Sequence, residues 1–179
     1  MKKSTTYAIV AVIVIIIIIA AVVLLVPGIL PAPSPSPTPT PTPTVTGADV
    51  ANATTLTFSA NVTSQGQTTE YKWSGKDIHS SNLTIRVDFS TYSYILSASD
   101  EKAWASTDSG VTWTASDFAS LWGTVAAPGF GNQWTDFADN LTHWDGSATY
   151  SYTDAAGEAI LLFNINVNPT IPASTFAVS

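Results

Sequence analysis

The chain has 179 residues, 45% of them hydrophobic, no cysteine and a formal net charge of −7. Without cysteine there is no disulfide framework, no thiolate metal site and no cysteine nucleophile. The acid excess speaks against nucleic acid as a partner and against docking onto anionic lipid.

Three unlike segments follow one another. Lys2 and Lys3 precede Tyr7–Val26, YAIVAVIVIIIIIAAVVLLV, which carries no charge and no amide. Twenty helical residues span about 30 Å, the thickness of a bilayer's hydrocarbon layer. Its Ile and Val are poor helix formers in water, but in lipid the backbone must satisfy its own hydrogen bonds and helix is the outcome. No basic residue follows until Lys72, so the positive-inside rule puts residues 1–6 in the cytoplasm and everything after the helix outside. A cleaved signal peptide is the rival reading; its apolar stretch would be shorter and would end in small residues, where this chain has Pro27-Gly28-Ile29-Leu30-Pro31. A prepilin-like leader is a third, although the glycine usual before that cleavage point is missing.

Residues 27–47 form a stalk. From Pro31 to Thr44 the chain reads PAPSPSPTPTPTPT, a polyproline II pattern whose fourteen residues reach about 43 Å. It serves as a spacer with hydroxyls open to O-glycans, or as a tether of no fixed length. The outer part of the chain carries four basic residues against thirteen acidic ones. Four Asn-x-Ser/Thr sequons, at Asn52, Asn61, Asn82 and Asn140, are glycosylation candidates on an exported protein.

Residues 48–179 are expected to form one extracellular β-rich domain. Leu56, Phe58, Ala60 and Val62 alternate with Thr and Ser. Tyr71 and Trp73 alternate with Glu70 and Lys72, and Leu83, Ile85, Val87 and Phe89 with Thr84, Arg86 and Asp88. That is the period of half-buried antiparallel strands. Further strands fit Tyr92–Ala98, Lys102–Thr107, Val111–Thr114, Ala148–Thr153 and Glu158–Val167. Between them the period becomes helical. Phe118, Leu121, Trp122 and Val125 follow Ser116-Asp117 as cap; Trp134, Phe137, Ala138, Leu141 and Trp144 follow Asn132 as cap and end at Asp145-Gly146. The expected fold class is α+β: a curved antiparallel β-sheet, or half-barrel, with two short helices packed on one face, preceded by one N-terminal transmembrane helix. On the strand from Lys102, either Trp104 faces the core and Ala103 and Ala105 face water, or the reverse; we expect Trp104 inside.

Two resemblances emerge. Tyr92–Trp113, YSYILSASDEKAWASTDSGVTW, with one Trp on each of two successive strands, resembles the sheet of LolA/LppX-type lipoprotein and lipid carriers, over most of residues 50–168. The Ile-rich helix and Pro/Thr stalk resemble those of membrane-anchored archaeal envelope proteins. The likeness implies an apolar groove between sheet and helices, with Trp104, Trp122, Trp134 and Phe137 as its candidate ligand-binding residues. Ser106–Trp113, STDSGVTW, is similar to the Asp-box of sialidase-like propellers. One copy in 132 residues cannot make a propeller. The box therefore reads as a structural turn: Asp108 accepting backbone N–H bonds, Gly110 at positive φ, Trp113 packed beneath.

Catalytic constellations are scarce. His79 lies in a polar turn, and His143 is expected in the last turn of the second helix, where the helix dipole favours it. Asp100/Glu101 and Asp136/Asp139 read as solvated surface acids rather than a facing carboxyl pair. Calcium held by Asp154 and Glu158 is unsupported by their spacing. We therefore expect no catalytic residue, metal or cofactor. The expected role is non-covalent binding or surface interaction at the cell membrane, with a lipid, a glycan or another envelope protein as partner and no nucleic acid. A lipid or lipoprotein carrier is the alternative, and a glycan hydrolase the least supported.

Overall fold

β-Branched and aromatic residues alternating with Thr and Ser pair here into a single sheet. The computed structural model describes residues 44–123 and 129–178. The chain divides into two units, Met1–Thr42 and Pro43–Ser179. The expected anchor over 7–26, the stalk up to residue 43 and Val125 lie outside the described residues. Among the described residues no helix is long and apolar enough to cross a membrane.

Among the described residues the second unit has eight strands: β1 (Thr55–Ser64), β2 (Gln67–Lys76), β3 (Thr84–Phe89), β4 (Tyr92–Ser97), β5 (Lys102–Ser106), β6 (Thr114–Ser116), β7 (Thr149–Thr153) and β8 (Ala159–Val167). Their order is β6-β5-β4-β3-β2-β1-β8-β7, and every neighbouring pair is antiparallel. Three short α-helices accompany them among the described residues: α1 (Gly47–Val50), ahead of β1, and α2 (Phe118–Trp122) and α3 (Phe130–Leu141), between β6 and β7. The fold is thus α+β and mostly β, a meander from β1 to β6 closed on its other side by the β7–β8 hairpin.

One face of the sheet carries Leu56, Phe58, Ala60, Trp73, Ile85, Val87, Leu96, Ala103, Ile160 and Leu162, all buried. Phe130, Trp134, Phe137 and Leu141 of α3 are buried in the same cluster. Trp73 lies 6.0 Å from Phe130, 6.1 Å from Trp134 and 5.7 Å from Phe137, ring centre to ring centre, and Phe58 lies 5.5 Å from Trp134. Such offset and edge-on arrangements are the favoured ones, so the rings fill the space between helix and sheet.

Several boundaries differ from the sequence reading. α3 begins at Phe130 with Gly129 in the left-handed region as its cap. Asn132, the expected cap, instead donates through Nδ2 to the carbonyl of Gly123 at 2.9 Å, tying α3 to the end of α2. The helix stops at Leu141, so His143 and Trp144 follow it rather than belong to its last turn. Trp144 is nevertheless buried and donates to the carbonyl of Ser147. α2 starts as expected, with the Asp117 carboxylate accepting the Ser120 N–H at 2.8 Å, and ends at Gly123 after five residues. The strand expected at Val111–Thr114 forms three residues later, because Val111 and Thr112 are held by the turn before it. α1 has no counterpart in the hydrophobic periodicity. It is held by a capping box between Thr46 and Asp49, and the N–H of Gly47 donates to the Trp144 carbonyl at 2.7 Å.

The orientation expected of β5 is reversed. Ala103 is 2% exposed and sits in the core, while Trp104 lies half-buried opposite Ile95 on the other face. α2 packs over β5 there, with Leu121 buried in the same core as Ala103, and an indole in place of that small side chain would overpack the contact. That other face also carries Arg86, whose Nη1 donates to the Thr175 carbonyl at 3.1 Å, and Lys76, whose Nζ lies 5.2 Å from the Phe176 ring. The C-terminal 3-10 turn (Ala173–Phe176) therefore lies against the outer side of β3. By strand register, Lys72 and Lys102 share this face with Lys76 and Arg86, so it carries all four basic residues of the domain.

Removing the indole at the centre of the aromatic layer leaves a cavity that rigid neighbours cannot fill. Trp134→Ala is expected to cost about 4 kcal/mol of unfolding free energy. Trp104→Ala, on the half-exposed face, should cost clearly less, and urea denaturation followed by circular dichroism compares the two.

Candidate functional site

The four aromatic residues assigned to a groove do not meet in one. Trp134 and Phe137 are 1% and 2% exposed and form the core beneath α3. Trp122 stacks on Phe118 at 5.1 Å and covers Gly131, where a Cβ would come within 2.2 Å of its indole. Trp104 is on the opposite face. Asn52 and Asn82 are exposed; Asn61, on the outer face of β1, and Asn140, on α3, are half-buried. Asn140 Nδ2 donates to the Asp136 carbonyl at 2.9 Å.

A cleft opens elsewhere, at the end of the sheet farthest from Thr44. It lies between the first half of α3, the β1–β2 hairpin and the β7–β8 turn. One part, about 270 Å³, is floored by Val62, Phe137 and Ile160 and edged by Asp136, Asp154 and Glu158. A second part, about 370 Å³, shares Val62, Gln133 and Glu158 with the first and adds Gln67, Thr69 and Tyr71. Together they approach the size of a small-molecule site, with an apolar floor and few polar groups.

Local folding accounts for each polar group. The carboxylate of Asp154 accepts the N–H groups of Ala156 and Glu158 at 2.9 and 2.8 Å, capping its own turn. Asp136 projects from α3 and accepts the Tyr152 hydroxyl at 2.5 Å. Burial, with the Asp136 hydrogen bond and charge next, pushes the Tyr152 phenol far above its ordinary value, so it stays a donor at every physiological pH. Tyr71 is also raised, by burial first and then by the negative charge of Glu158. The Glu158 carboxylate has no hydrogen-bond partner among the described residues. No group of His, Asp and Glu among those residues is arranged to hold a metal. The cleft can thus hold a ligand by apolar contact and by hydrogen bonds to fixed acceptors, and it is lined by no cationic side chain.

The sequence reading paired Asp136 with Asp139 as solvated acids. Asp136 is half-buried instead, because Tyr150 and Tyr152 alternate toward α3 on an edge strand too short to be read for its facing direction. The Tyr-x-Tyr spacing after the helix was the available signal.

The Asp-box forms as a closed hydrogen-bonded turn. Asp108 Oδ1 accepts Ser106 Oγ at 2.6 Å, Val111 N at 3.1 Å and Thr112 N at 2.9 Å, while Oδ2 accepts Thr112 Oγ1 at 2.6 Å. Gly110 takes φ +84°, with the guanidinium of Arg86 so close that a Cβ would lie 2.9 Å from its Nη2. That guanidinium sits 5.5 Å from the Trp113 ring and pairs with Asp88 at 3.0 Å. The Ser106 hydroxyl, then the Thr112 hydroxyl and N–H, hold the Asp108 carboxyl far below its usual value.

No family model, no curated protein and no solved structure matches this chain.

Two pH dependences follow. A depressed carboxyl contributes stability that is present above its unfolded value of 3.8 and is lost as pH falls toward the folded value. Asp108→Asn should therefore melt lower than the parent at pH 7, and the gap should narrow below pH 3.8. A raised phenol contributes stability that is present below its unfolded value of 10.0 and is lost as pH rises past it. Above pH 10.0 the parent should lose stability more steeply than Tyr152→Phe. Thermal melts across the pH range measure both.

Proposed function

We propose that this chain is a single-pass, membrane-anchored extracytoplasmic protein whose β-rich domain works by non-covalent binding rather than turnover. Its N-terminus lies inside, and residues 27–43 act as the spacer. The observation that carries the binding reading is the position of the cleft. The described domain begins at Thr44, beside Gly146, with Gly47 against Thr142 and Trp144 just past the end of α3. From Thr55, near that end, β1 runs nine residues to Ser64 at the cleft, about 30 Å away. The tether joins one end of the domain, and the cleft opens at the other.

Binding rather than catalysis is supported by what the acids already do. Asp154 holds its own turn and Asp136 holds a phenol, which leaves Glu158 as the open carboxylate of the cleft. A hydrolase of the retaining or inverting kind needs two carboxyls poised across the substrate. The carrier-like alternative, a half-barrel shielding an acyl chain, draws on the meander from β1 to β6 with a helix laid across it. It requires Trp134 and Phe137 to leave the core, since their rings occupy the space an acyl chain would need.

The full chain, expressed with its first 26 residues, is expected to stay in the membrane pellet through alkaline carbonate, with its outer domain open to protease from the outside only. Release by carbonate, or recovery as a soluble form starting near Pro27, would overturn the anchor. Thermal-shift screening of the full chain against envelope glycans, short lipids and cationic peptides should give a ligand whose stabilisation is lost in Glu158→Arg. A screen in which no compound discriminates the two proteins would sink the cleft.

A further inference from the structure

The two edges of the sheet are not alike. At one edge β6 is three residues long, the short strand that discourages pairing with another chain. At the other, β7 is five residues long and reads Thr149-Tyr150-Ser151-Tyr152-Thr153, with no lysine, proline or bulge to guard it.

The direction of its free backbone groups follows from the turn beside it. The Asp154 N–H donates to the Glu158 carbonyl at 3.1 Å. In an antiparallel ladder, residues that exchange bonds with the partner alternate with residues that face away. Asp154:Glu158 is a bonded pair, so Tyr152:Ile160 and Tyr150:Leu162 are bonded pairs as well. Thr149, Ser151 and Thr153 then turn their N–H and C=O groups outward, and all three are exposed. The Ser147 hydroxyl, which donates to the Thr149 carbonyl at 2.7 Å, already uses one of these outward acceptors.

The strand is also a palindrome. Reversed, Thr-Tyr-Ser-Tyr-Thr is unchanged, so an antiparallel copy placed on a two-fold axis at Ser151 meets its own residue types. Ser151 faces Ser151, Thr149 faces Thr153, and Tyr150 faces Tyr152. Thr–Thr and aromatic cross-strand pairs are favourable, and a two-fold contact of this kind is isologous and closed. Tyr150 and Tyr152 already lie 5.9 Å apart within one chain, so pairing would line up four phenol rings. On the outer face, Leu161 is 37% exposed, large for an apolar residue, and Phe163 is half-buried; they are the β8 partners of Ser151 and Thr149.

We propose that β7 is a dimerisation edge, on which a second copy of this chain adds its own β7 antiparallel about Ser151. Each five-residue strand has two residues on either side of Ser151, and the pairing gives three outward pairs with up to six backbone hydrogen bonds. The two eight-stranded sheets become one, and the cleft at the first half of α3 is repeated on each side of the axis.

Because the chain has no cysteine, single cysteines report the register directly. In the proposed pairing Ser151 faces its copy at about 5.5 Å between Cα atoms, within disulfide range. Thr149 is displaced from its copy by four residues, about 14 Å, out of range. The full chain carrying Ser151→Cys, in detergent or in phospholipid vesicles under mild oxidation, is expected to run as a covalent dimer. Thr149→Cys alone should stay monomeric, and mixing it with Thr153→Cys should give the mixed dimer. Without oxidant, Ser151→Lys should lose the dimer seen for the parent by light scattering while keeping its circular dichroism spectrum. Equal cross-linking of Thr149→Cys and Ser151→Cys would overturn the register. A Ser151→Cys chain that stays monomeric, or that links only to a different protein, would overturn the dimer.

Discussion

The domain depends on one contact, the seating of α3 on the aromatic floor of β1 and β2. A twelve-residue helix is marginal alone in water and takes its stability from its buried face. Here that face is Phe130, Trp134, Phe137 and Leu141, and the floor is Phe58 and Trp73. Gly75 makes the fit possible: a Cβ there would lie 2.3 Å from the Trp134 ring, so the strand gives up a side chain where the indole needs the room. The same contact excludes an open channel beneath the helix. It also sets where Asp136 emerges, about two turns along from the Gly129 cap, beside the Tyr152 phenol.

Charge is divided by the sheet. The four basic residues lie on the outer face, and Asp136, Asp154 and Glu158 gather on the side of α3. A cleft with acids at its rim and cations only across the sheet has a field of one sign, which focuses on whatever enters it. On the outer face Arg86 serves three partners, Asp88, Trp113 and the Thr175 carbonyl, and so joins strand, turn and tail through one group.

Much of this architecture is legible in the residues. Strict alternation over Leu56–Val62 and Leu83–Phe89 marks strands with one wet face, and the i, i+3, i+4 spacing of Trp134, Phe137, Ala138 and Leu141 marks the helix. Asp108 and Gly110 announce their turn, because its hydrogen bonds are local in the chain. What escaped the reading is what depends on distant partners. Trp104 and Ala103 alternate just as well in either sense, and the helix α2 packed over β5 decides which fits beneath it. Asn132 looks like a cap until Gly129 takes the left-handed conformation ahead of it. The cleft joins residue 62 to residues 136 and 158, a proximity that no local pattern records.

The tail contact has a consequence for how the two faces of the sheet are closed. Arg86 precedes the carbonyl it binds at Thr175 by about ninety residues. Every residue of the inner core lies before the Ala173–Phe176 turn, so a chain shortened ahead of residue 173 would keep its core and leave Arg86 with Asp88 and Trp113 alone.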